Sequence, residues 1–320
     1  MSDGVDCEAT ALFPTPVPER ALQYGESLLG EMIPQEAELT AGVTIEPGRR
    51  YGFFTDTSLC IGCKACEVAC KEWNALPMDE VGLSGHSYDN TNDLGASTWR
   101  HVSFIEQITQ EAGGDGATGN GRVTAMQPFQ SNWLMMSDVC KHCQNAACLQ
   151  ACPTGALFRT EFDTVVVQQD ICNGCGYCVP ACPFGVVELS MTDGKAHKCT
   201  LCYDRLKSGL EPACAKSCPT NAIQFGPVEA LQERAAERVE TLHGLGVEQA
   251  YLYGVPDSPG ATGAIGSLNA FFLLLDEPER YNLPTAPALP QERTRSGLLV
   301  GLLTMLGLAI AAMASWLMKD

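Results

Sequence analysis

The C-terminal end of the chain is a long apolar run. Residues 297–318 form 22 consecutive positions without a charged side chain. A helix of that length measures about 33 Å, close to the hydrocarbon thickness of about 30 Å in a typical bilayer. A buried core helix is the alternative, but the run is apolar on all sides, with Trp316 near one end and Lys319 just beyond it. The pattern therefore predicts one membrane-spanning helix.

Shorter patterns predict the elements of a globular part. Residues 228–243 carry apolar positions at helical spacing with glutamate and arginine between them, which predicts a surface-packed amphipathic helix. Residues 98–108 roughly fit a strand and predict a hairpin region inserted within residues 71–139, where no chemistry is expected. The polar, glycine-rich stretch 111–121 is typical of a surface loop. Residues 51–56 form a strand-like run that leads into the first cysteine motif.

Composition and charge narrow the class of protein. The chain has 320 residues, of which 45% are hydrophobic and 18% charged, enough for a sizeable core and one or two globular domains. The 31 glycines and 19 prolines, with only 7% aromatic residues, indicate a loop-rich protein held together by something besides an aromatic core. A net charge of -18 argues against nucleic acid as a partner, because phosphate binding needs a basic surface.

Cysteines supply the strongest signal. Sixteen of the 17 fall into four groups of four, and Cys7 stands apart as an ordinary thiol. Group one is Cys60, Cys63, Cys66 and Cys70, and group two is Cys140, Cys143, Cys148 and Cys152. Group three is Cys172, Cys175, Cys178 and Cys182, and group four is Cys199, Cys202, Cys214 and Cys218. Such regularity indicates an internal repeat.

The spacing of group three is that of a bacterial ferredoxin. It reads C-x2-C-x2-C-x3-C-P, a run in which three cysteines bind one 4Fe-4S cluster and the fourth binds the other cluster of a two-cluster module. The other groups are variants: the middle gap is longer in groups two and four, and Lys71 replaces the usual proline in group one. Each module therefore needs two groups.

The residues around the cysteines suit this chemistry. Gly62, Gly174 and Gly176 can adopt the positive φ angles that a tight loop around a cluster requires. A proline after the fourth cysteine fixes φ and ends the helical turn that carries this cysteine to the neighbouring cluster. These prolines are Pro153, Pro183 and Pro219.

Other uses of so many cysteines are less favoured. Zinc sites usually come as two separated C-x2-C pairs rather than as three close cysteines and a fourth three residues on. Disulfides are typical of short secreted chains, and the start MSDGVDCEAT lacks the cationic and apolar regions of an export signal. The Arg49-Arg50 pair is followed by a strand-like run rather than by the rest of a twin-arginine signal.

Histidines and lysines near the cysteines have two interpretations. His142 and His197 have no further ligand pair with which to form a separate metal site, so a supporting role beside the clusters is predicted for them. Lys64, Lys141 and Lys198 could shift cluster potentials, but solvated surface lysines are the commoner case and are the favoured interpretation.

With these residues in view, the chain resembles the four-cluster beta subunits of molybdenum or tungsten bis-pterin oxidoreductases, most closely those of membrane-bound formate dehydrogenases. The resemblance covers residues 50–318 and is most specific at YGFFTDTSLCIGCKACEVACKEWN and KCTLCYDRLKSGLEPACAKSCPTNAI. Later points are LYGVP, ERYNLPTAP and the single C-terminal span. Respiratory nitrate reductase beta subunits have tryptophan and a three-iron cluster where this chain has Cys175, so four 4Fe-4S clusters are implied.

The resemblance also implies which cysteines share a cluster. The first set is Cys60, Cys63, Cys66 and Cys218, nearest the catalytic subunit. The second set is Cys70, Cys199, Cys202 and Cys214. The third set is Cys140, Cys143, Cys148 and Cys182, and the fourth set, closest to the membrane, is Cys152, Cys172, Cys175 and Cys178. No catalytic residue is expected in this chain.

The implied fold class is α+β, with two ferredoxin-like modules of two 4Fe-4S clusters each, one nested in the other, with hairpin insertions and a single C-terminal transmembrane helix. Residues 49–75 plus 195–225 form the first module and residues 133–194 the second. The remaining segments are an N-terminal extension (1–48), inserted loops and hairpins (76–132), a C-terminal helix and docking tail (226–296) and the transmembrane helix (297–318).

By the same resemblance, the chain relays electrons one at a time in a membrane-bound formate dehydrogenase complex. Its implied partners are a molybdenum or tungsten bis-pterin catalytic subunit, an integral membrane cytochrome b or quinone-reactive subunit, and the lipid bilayer. The same relay in another molybdopterin oxidoreductase or a hydrogenase is the alternative. The family implies a periplasmic globular part, whereas Arg280, Arg293 and Arg295 before the span favour a cytoplasmic one under the positive-inside rule.

Overall fold

A four-stranded sheet organises the globular part of the molecule. The computed structural model describes residues 44–78, 93–109, 130–261 and 263–317, together with 85, 89 and 91. The strands of this sheet are β1 (Tyr51–Asp56), β8 (Ile223–Pro227), β9 (Tyr251–Tyr253) and β10 (Ala270–Leu274), in the order β8-β1-β10-β9. Strand β1 pairs antiparallel with β8 and parallel with β10, so the first of the described strands lies between two of the last.

The two faces of this sheet meet different neighbours. Side chains alternate along a strand, so Tyr51 and Phe53 lie on the opposite face from Phe54. Tyr51 and Phe53 pack into the core that contains the cysteines. Phe54 packs instead with Val228 and Leu231 of the long helix α6 (Val228–Gly244), which confirms the predicted amphipathic helix. The sheet therefore separates the cysteine core from α6.

An antiparallel pair of strands lies in the region for which a hairpin is predicted. Strands β2 (Arg100–Thr109) and β3 (Gln130–Val139) pair antiparallel from Arg100 opposite Val139 to Thr109 opposite Gln130. Val102 and Val139 pack into the cysteine core and Met136 into the neighbouring apolar cluster, so the base of the hairpin is buried. The predicted loop 111–121 lies outside the described residues, as do Cys7 and residues 1–43.

The remaining elements are short and lie around the cysteines. The small hairpins are β4 (Leu157–Arg159) with β5 (Val165–Val167), and β6 (Glu188–Leu189) with β7 (Ala196–His197). The helices are α1 (Ala65–Trp73), α2 (Ala147–Gln150), α3 (Cys178–Ala181), α4 (Tyr203–Lys207) and α5 (Ala213–Lys216). Helical turns of the 3-10 type span Gly263–Ile265 and Pro278–Tyr281. The mixed helix and strand content agrees with the predicted class.

The C-terminal helix is long and exposed. Helix α7 runs from Pro290 to Leu317. An 18-residue window within Pro290–Ala314 has a mean hydropathy of 2.3, and no part of that window is buried against the protein. By length and composition it could cross a membrane. The predicted span of residues 297–318 therefore coincides with a helix, apart from its last residue, which lies outside the described part.

Candidate metal centres

One backbone turn recurs at the start of all four cysteine groups. The residue two positions after the first cysteine has a positive φ in each group: 66° at Gly62, 43° at His142, 72° at Gly174 and 57° at Leu201. The prediction that Gly62, Gly174 and Gly176 adopt positive φ is confirmed. His142 and Leu201 adopt the same region although it is unfavourable for a side chain with a Cβ. Four groups of different sequence therefore form the same turn.

A helical turn then separates the third cysteine of each group from the fourth. The third cysteine lies at or next to the start of α1, α2, α3 or α5, and the fourth follows four residues later. Residues four apart on a helix are neighbours along one face, a full turn apart along the axis. The last two cysteines of a group can therefore face two adjacent centres.

The residue after the fourth cysteine determines how far the helix continues. Pro153, Pro183 and Pro219 follow helices of four residues each, as predicted from the missing N–H and fixed φ of proline. Lys71 allows α1 to continue to Trp73, so this helix has nine residues. The extra turn places Trp73 against Arg205, with the guanidinium 4.2 Å from the ring centroid.

The structure brings together cysteines from the two ends of the globular part. Cys60, Cys63, Cys66 and Cys218 line one cavity. Burial raises the pKa of Cys60, and the thiol of Cys218 raises it further. This cavity contains all four members of the first set.

The second set lies deeper in the protein. Burial raises the pKa of Cys70, and the nearby thiols of Cys199, Cys214 and Cys202 add to the shift. All four side chains are buried. Cys70 of group one thus lies among the cysteines of group four.

Groups two and three exchange cysteines in the same way. Burial raises the pKa of Cys143 well above its ordinary value, and Cys182, Cys140 and Cys148 contribute to the rise. These four are the third set. Burial likewise raises the pKa of Cys178 to about 11, with contributions from Cys172, Cys152 and Cys175. Those four are the fourth set.

Neighbouring sets adjoin in sequence from the first to the fourth. The electrostatic neighbours of Cys66 include Cys214, which links the first set to the second. Cys199 has Cys140 as a neighbour, which links the second set to the third. Cys148 has Cys178 as a neighbour, which links the third set to the fourth. Each set therefore adjoins the next, and this succession from the first set to the fourth is called the line below.

Exposure of the thiols follows this line. None of the sixteen grouped cysteines forms a disulfide, and the two exposed ones are Cys63 in the first set and Cys175 in the fourth. The members of the second and third sets are buried or half-buried. The line therefore has accessible ends and a protected middle.

Two of the lysines beside the cysteines are not on the surface. The interpretation of Lys141 and Lys198 as solvated is wrong, because both are fully buried. Lys141 pairs with Asp138 and lies over the rings of Phe184 and Phe272. Lys198 donates to the carbonyl oxygens of Val165 and Cys199. Long-range packing that sequence patterns do not report places both charges inside the protein.

Lys64 and the two histidines have more ordinary surroundings. Lys64 is partly exposed and pairs with Glu67 at 3.4 Å and Asp89 at 3.3 Å. His197 pairs with Asp193 at 3.0 Å in the turn of the β6–β7 hairpin. His142 is buried, and its Nδ1 accepts a hydrogen bond from the backbone N–H of Val165 at 3.0 Å.

One charged residue in the insertion lies beside the cysteines although no sequence pattern indicates it. Arg100, at the start of β2, is only 1% exposed and is among the largest fully buried side chains. Its guanidinium donates to the Cys214 Sγ at 3.4 Å and to the Ser137 carbonyl oxygen at 3.2 Å. Burial lowers the pKa of Arg100, but the thiols of Cys214 and Cys66 outweigh it and the net shift is upward. The insertion therefore places a buried positive charge beside Cys66 of the first set and Cys214 of the second.

Two buried donors test whether the sites fit a sulfur-rich anionic group. Arg100 Nε and His142 Nε2 have no hydrogen-bond partner among the described residues. Because Nδ1 of His142 accepts a hydrogen bond, its proton is on Nε2. Each residue lies next to a cysteine set, and cluster sulfides accept hydrogen bonds. The donors and the thiol sets together fit iron–sulfur clusters.

A single zinc ion fits less well. Zinc requires four ligands within about 2.0–2.3 Å of one ion. Within the described residues, no three cysteine, histidine or carboxylate side chains are grouped closely enough to hold one metal ion.

Comparisons with known proteins agree with this chemistry. Two family models, each described as a 4Fe-4S dicluster domain, match residues 59–156 and 131–228. The nitrate-inducible formate dehydrogenase iron-sulfur subunit of Escherichia coli is 42% identical over 234 residues, which cover 72% of this chain and 71% of the relative. The formate dehydrogenase iron-sulfur subunit of Haemophilus influenzae is 38% identical over 87% of this chain and 85% of its own length. A subunit of the anaerobic dimethyl sulfoxide reductase of Escherichia coli is 38% identical over 58% of this chain and 77% of the relative.

Proposed function

Because this protein belongs to the family of formate dehydrogenase iron-sulfur subunits, we propose that it relays electrons from formate in a membrane-bound complex. It is an electron-transfer subunit of a molybdopterin oxidoreductase and makes or breaks no substrate bond itself. Each of its 4Fe-4S clusters, when bound, gains and loses single electrons. The observation that carries the proposal is the line of thiol sets, accessible at both ends and protected in the middle.

Four clusters are proposed on the four sets of cysteines. Two dicluster domains and sixteen grouped cysteines support that number. The surroundings of four cysteines support the ligand sets. Cys70, Cys143 and Cys178 each have all three other members of their set as electrostatic neighbours, and Cys60 shares one cavity with the rest of the first set. The first and second sets would form the outer ferredoxin-like module, and the third and fourth sets the inner one.

The protein's own residues perform three tasks in this mechanism. The recurring turn and the helical turn after it hold the thiols at fixed separations, because their backbone is pinned by packing against the sheet and hairpins. The second set, which is fully buried, and the third set, which has no exposed member, keep water away from the middle of the line. Buried donors and cations adjust the charge around each set, which is how proteins adjust cluster potentials.

The ends of the line are proposed to meet different partners. The first set would face the pterin-containing catalytic subunit, and the fourth set the membrane subunit, a cytochrome b or quinone-reactive protein. Exposed apolar side chains surround both ends: Ile61 and Val68 near the first set, Ile171 and Tyr177 near the fourth. Apolar surface next to an accessible cluster suits a docked protein partner.

Helix α7 is proposed to anchor the protein in the bilayer. Its exposed apolar surface on all sides supports this role, since a helix of a soluble core would be covered. We favour a periplasmic globular part on the strength of the family, since flanking charges have little influence on the side taken by a large folded domain.

The test is the visible absorption of the detergent-solubilised complex under anaerobic conditions. Formate is expected to bleach the clusters to nearly the extent reached with dithionite. If only dithionite bleached them, the relay would stand but formate would not be the donor. A cluster-free, colourless protein would refute the relay itself.

Dimethyl sulfoxide reduction is the second candidate, because the protein is 38% identical to a subunit of that enzyme over 185 residues. The same sample decides between the two. In that case dimethyl sulfoxide, added after dithionite reduction, would restore the absorption, whereas formate would leave the oxidised sample unchanged.

A further inference from the structure

Arg100 carries a permanent positive charge in the interior of the protein. No carboxylate lies within ion-pair distance of it among the residues that the structure describes. Its guanidinium lies 4.8 Å from the centroid of the Phe53 ring on one side and donates to the Cys214 Sγ on another. A buried guanidinium stays protonated and is costly unless an anion accompanies it.

Cysteines surround this charge. Its electrostatic neighbours include Cys60 and Cys66 of the first set. They also include Cys70, Cys199 and Cys214 of the second set. Arg100 thus lies at the junction where Cys66 and Cys214 link the two sets, and its buried Nε–H still lacks a partner among the described residues.

We propose that Arg100 is the counter-charge shared by the clusters of the first and second sets and that it raises the reduction potentials of both. The inference rests on the proposed relay and its ligand sets. A cluster with four thiolates is anionic and gains one more negative charge on reduction. A fixed cation in a poorly polarisable interior therefore stabilises the reduced form more than the oxidised form.

The hairpin determines where this charge lies. Arg100 is the first residue of β2 and pairs with Val139, directly before Cys140, while Ser137 on β3 accepts a hydrogen bond from the guanidinium. The Ser137 hydroxyl lies 3.2 Å from the Cys66 Sγ. The insertion thus acts as a positioning element for the outer pair of clusters.

The experiment is a redox titration of the complete detergent-solubilised complex, followed by electron paramagnetic resonance, for the wild type and three variants. Arg100→Gln removes the charge, and Arg100→Lys keeps it. Arg238→Gln is the matched control, because it removes a largely buried guanidinium that pairs with Asp56 at 2.9 Å rather than with thiols. Iron content is measured for each variant.

In Arg100→Gln we expect the reduction potentials of two of the four one-electron steps to fall by at least about 59 mV. That fall corresponds to a tenfold change in the ratio of oxidised to reduced cluster at a fixed potential. The other two steps should not move. Arg100→Lys should restore the wild-type values, and Arg238→Gln should lower stability without moving any step.

Three results would overturn the inference: no shift in Arg100→Gln with full iron, an equal shift of all four steps, or a shift in Arg100→Lys as large as in Arg100→Gln. If the glutamine variant lost its clusters, the lysine variant alone would decide by keeping or losing the wild-type potentials. A wild-type complex without clusters, or one that formate leaves oxidised, would refute the proposed function instead.

Discussion

Replacing Gly174 with alanine should remove the cluster of the fourth set. Gly174 has a φ of 72°, and a Cβ added there would lie 2.3 Å from the backbone carbonyl oxygen of Gly194. Real Cβ contacts are essentially never shorter than 3.0 Å. The obstacle is backbone in the β6–β7 hairpin, so no side chain can rotate out of the way.

The magnitude has two parts. The positive φ alone costs about 1–3 kcal/mol for a residue other than glycine. The clash adds about 1–3 kcal/mol, as is typical of overpacking, because the loop and the hairpin must move apart. That movement would separate Ala196 from Cys172, whose Sγ accepts the Ala196 backbone N–H at 3.5 Å.

Gly155→Ala is the matched control. Gly155 also has a φ of 72°, but a Cβ added there meets nothing within 4 Å. It therefore carries the backbone cost without the clash. Both variants should be less stable than the wild type, and only Gly174→Ala should lose about a quarter of the iron, one cluster of four.

Iron and acid-labile sulfide per protein molecule, measured on the purified complex, check this prediction. Equal iron loss in both variants would mean that the backbone cost, not the clash, governs the site. Full iron in Gly174→Ala would refute the packing of the hairpin on this loop.

Packing elsewhere in the molecule leads to three more predictions. Arg238→Gln leaves the buried Asp56 carboxylate with Ser58 as its remaining described partner and should lower the free energy of unfolding by about 3 kcal/mol. The measurement is the temperature at which the visible absorption is lost, which should fall. An unchanged temperature would contradict a stabilising role for the Arg238–Asp56 pair. Removal of the iron–sulfur clusters by an oxidant and a chelator should abolish hydrogen-exchange protection in the cysteine core. Protection in α6 should remain, because this helix packs with Phe54 and Leu273 in an apolar group that contains no cysteine. Simultaneous loss of protection in both regions would show a single cooperative core. A variant ending at residue 296 should leave the membrane fraction when expressed without its partners, and retention there would mean that α7 is not the anchor.

Much of the site could be predicted from local patterns. The spacing of the cysteines, the loop glycines and the prolines after the fourth cysteines all act within a few residues of the backbone they constrain. Helices α6 and α7 could also be predicted from the sequence, because the periodicity of α6 and the uniform apolarity of α7 are each properties of one continuous segment.

Burial of charged residues could not be predicted in the same way. Arg100, Lys141 and Lys198 occur in sequences that would suit a surface, and their surroundings come from segments far along the sequence. Long side chains of this kind are almost never fully buried, so the general rule favours solvent. Likewise, the residue types of His142 and Leu201 do not predict a left-handed backbone conformation. Their positive φ is explained by their position, since the equivalent residue of every cysteine group has a positive φ.

The position of β1 in its sheet also determines the order in which the protein can be completed during synthesis. Strand β1 leaves the ribosome before the other described strands, yet both of its partners, β8 and β10, emerge about 170 residues later or more. Cys70 likewise cannot meet Cys199 until more than a hundred further residues have been made. The cysteines of groups two and three, in contrast, are all present once residue 182 has been made. The segment that holds groups two and three can therefore fold while synthesis is still under way, whereas β1 and Cys70 gain their partners last.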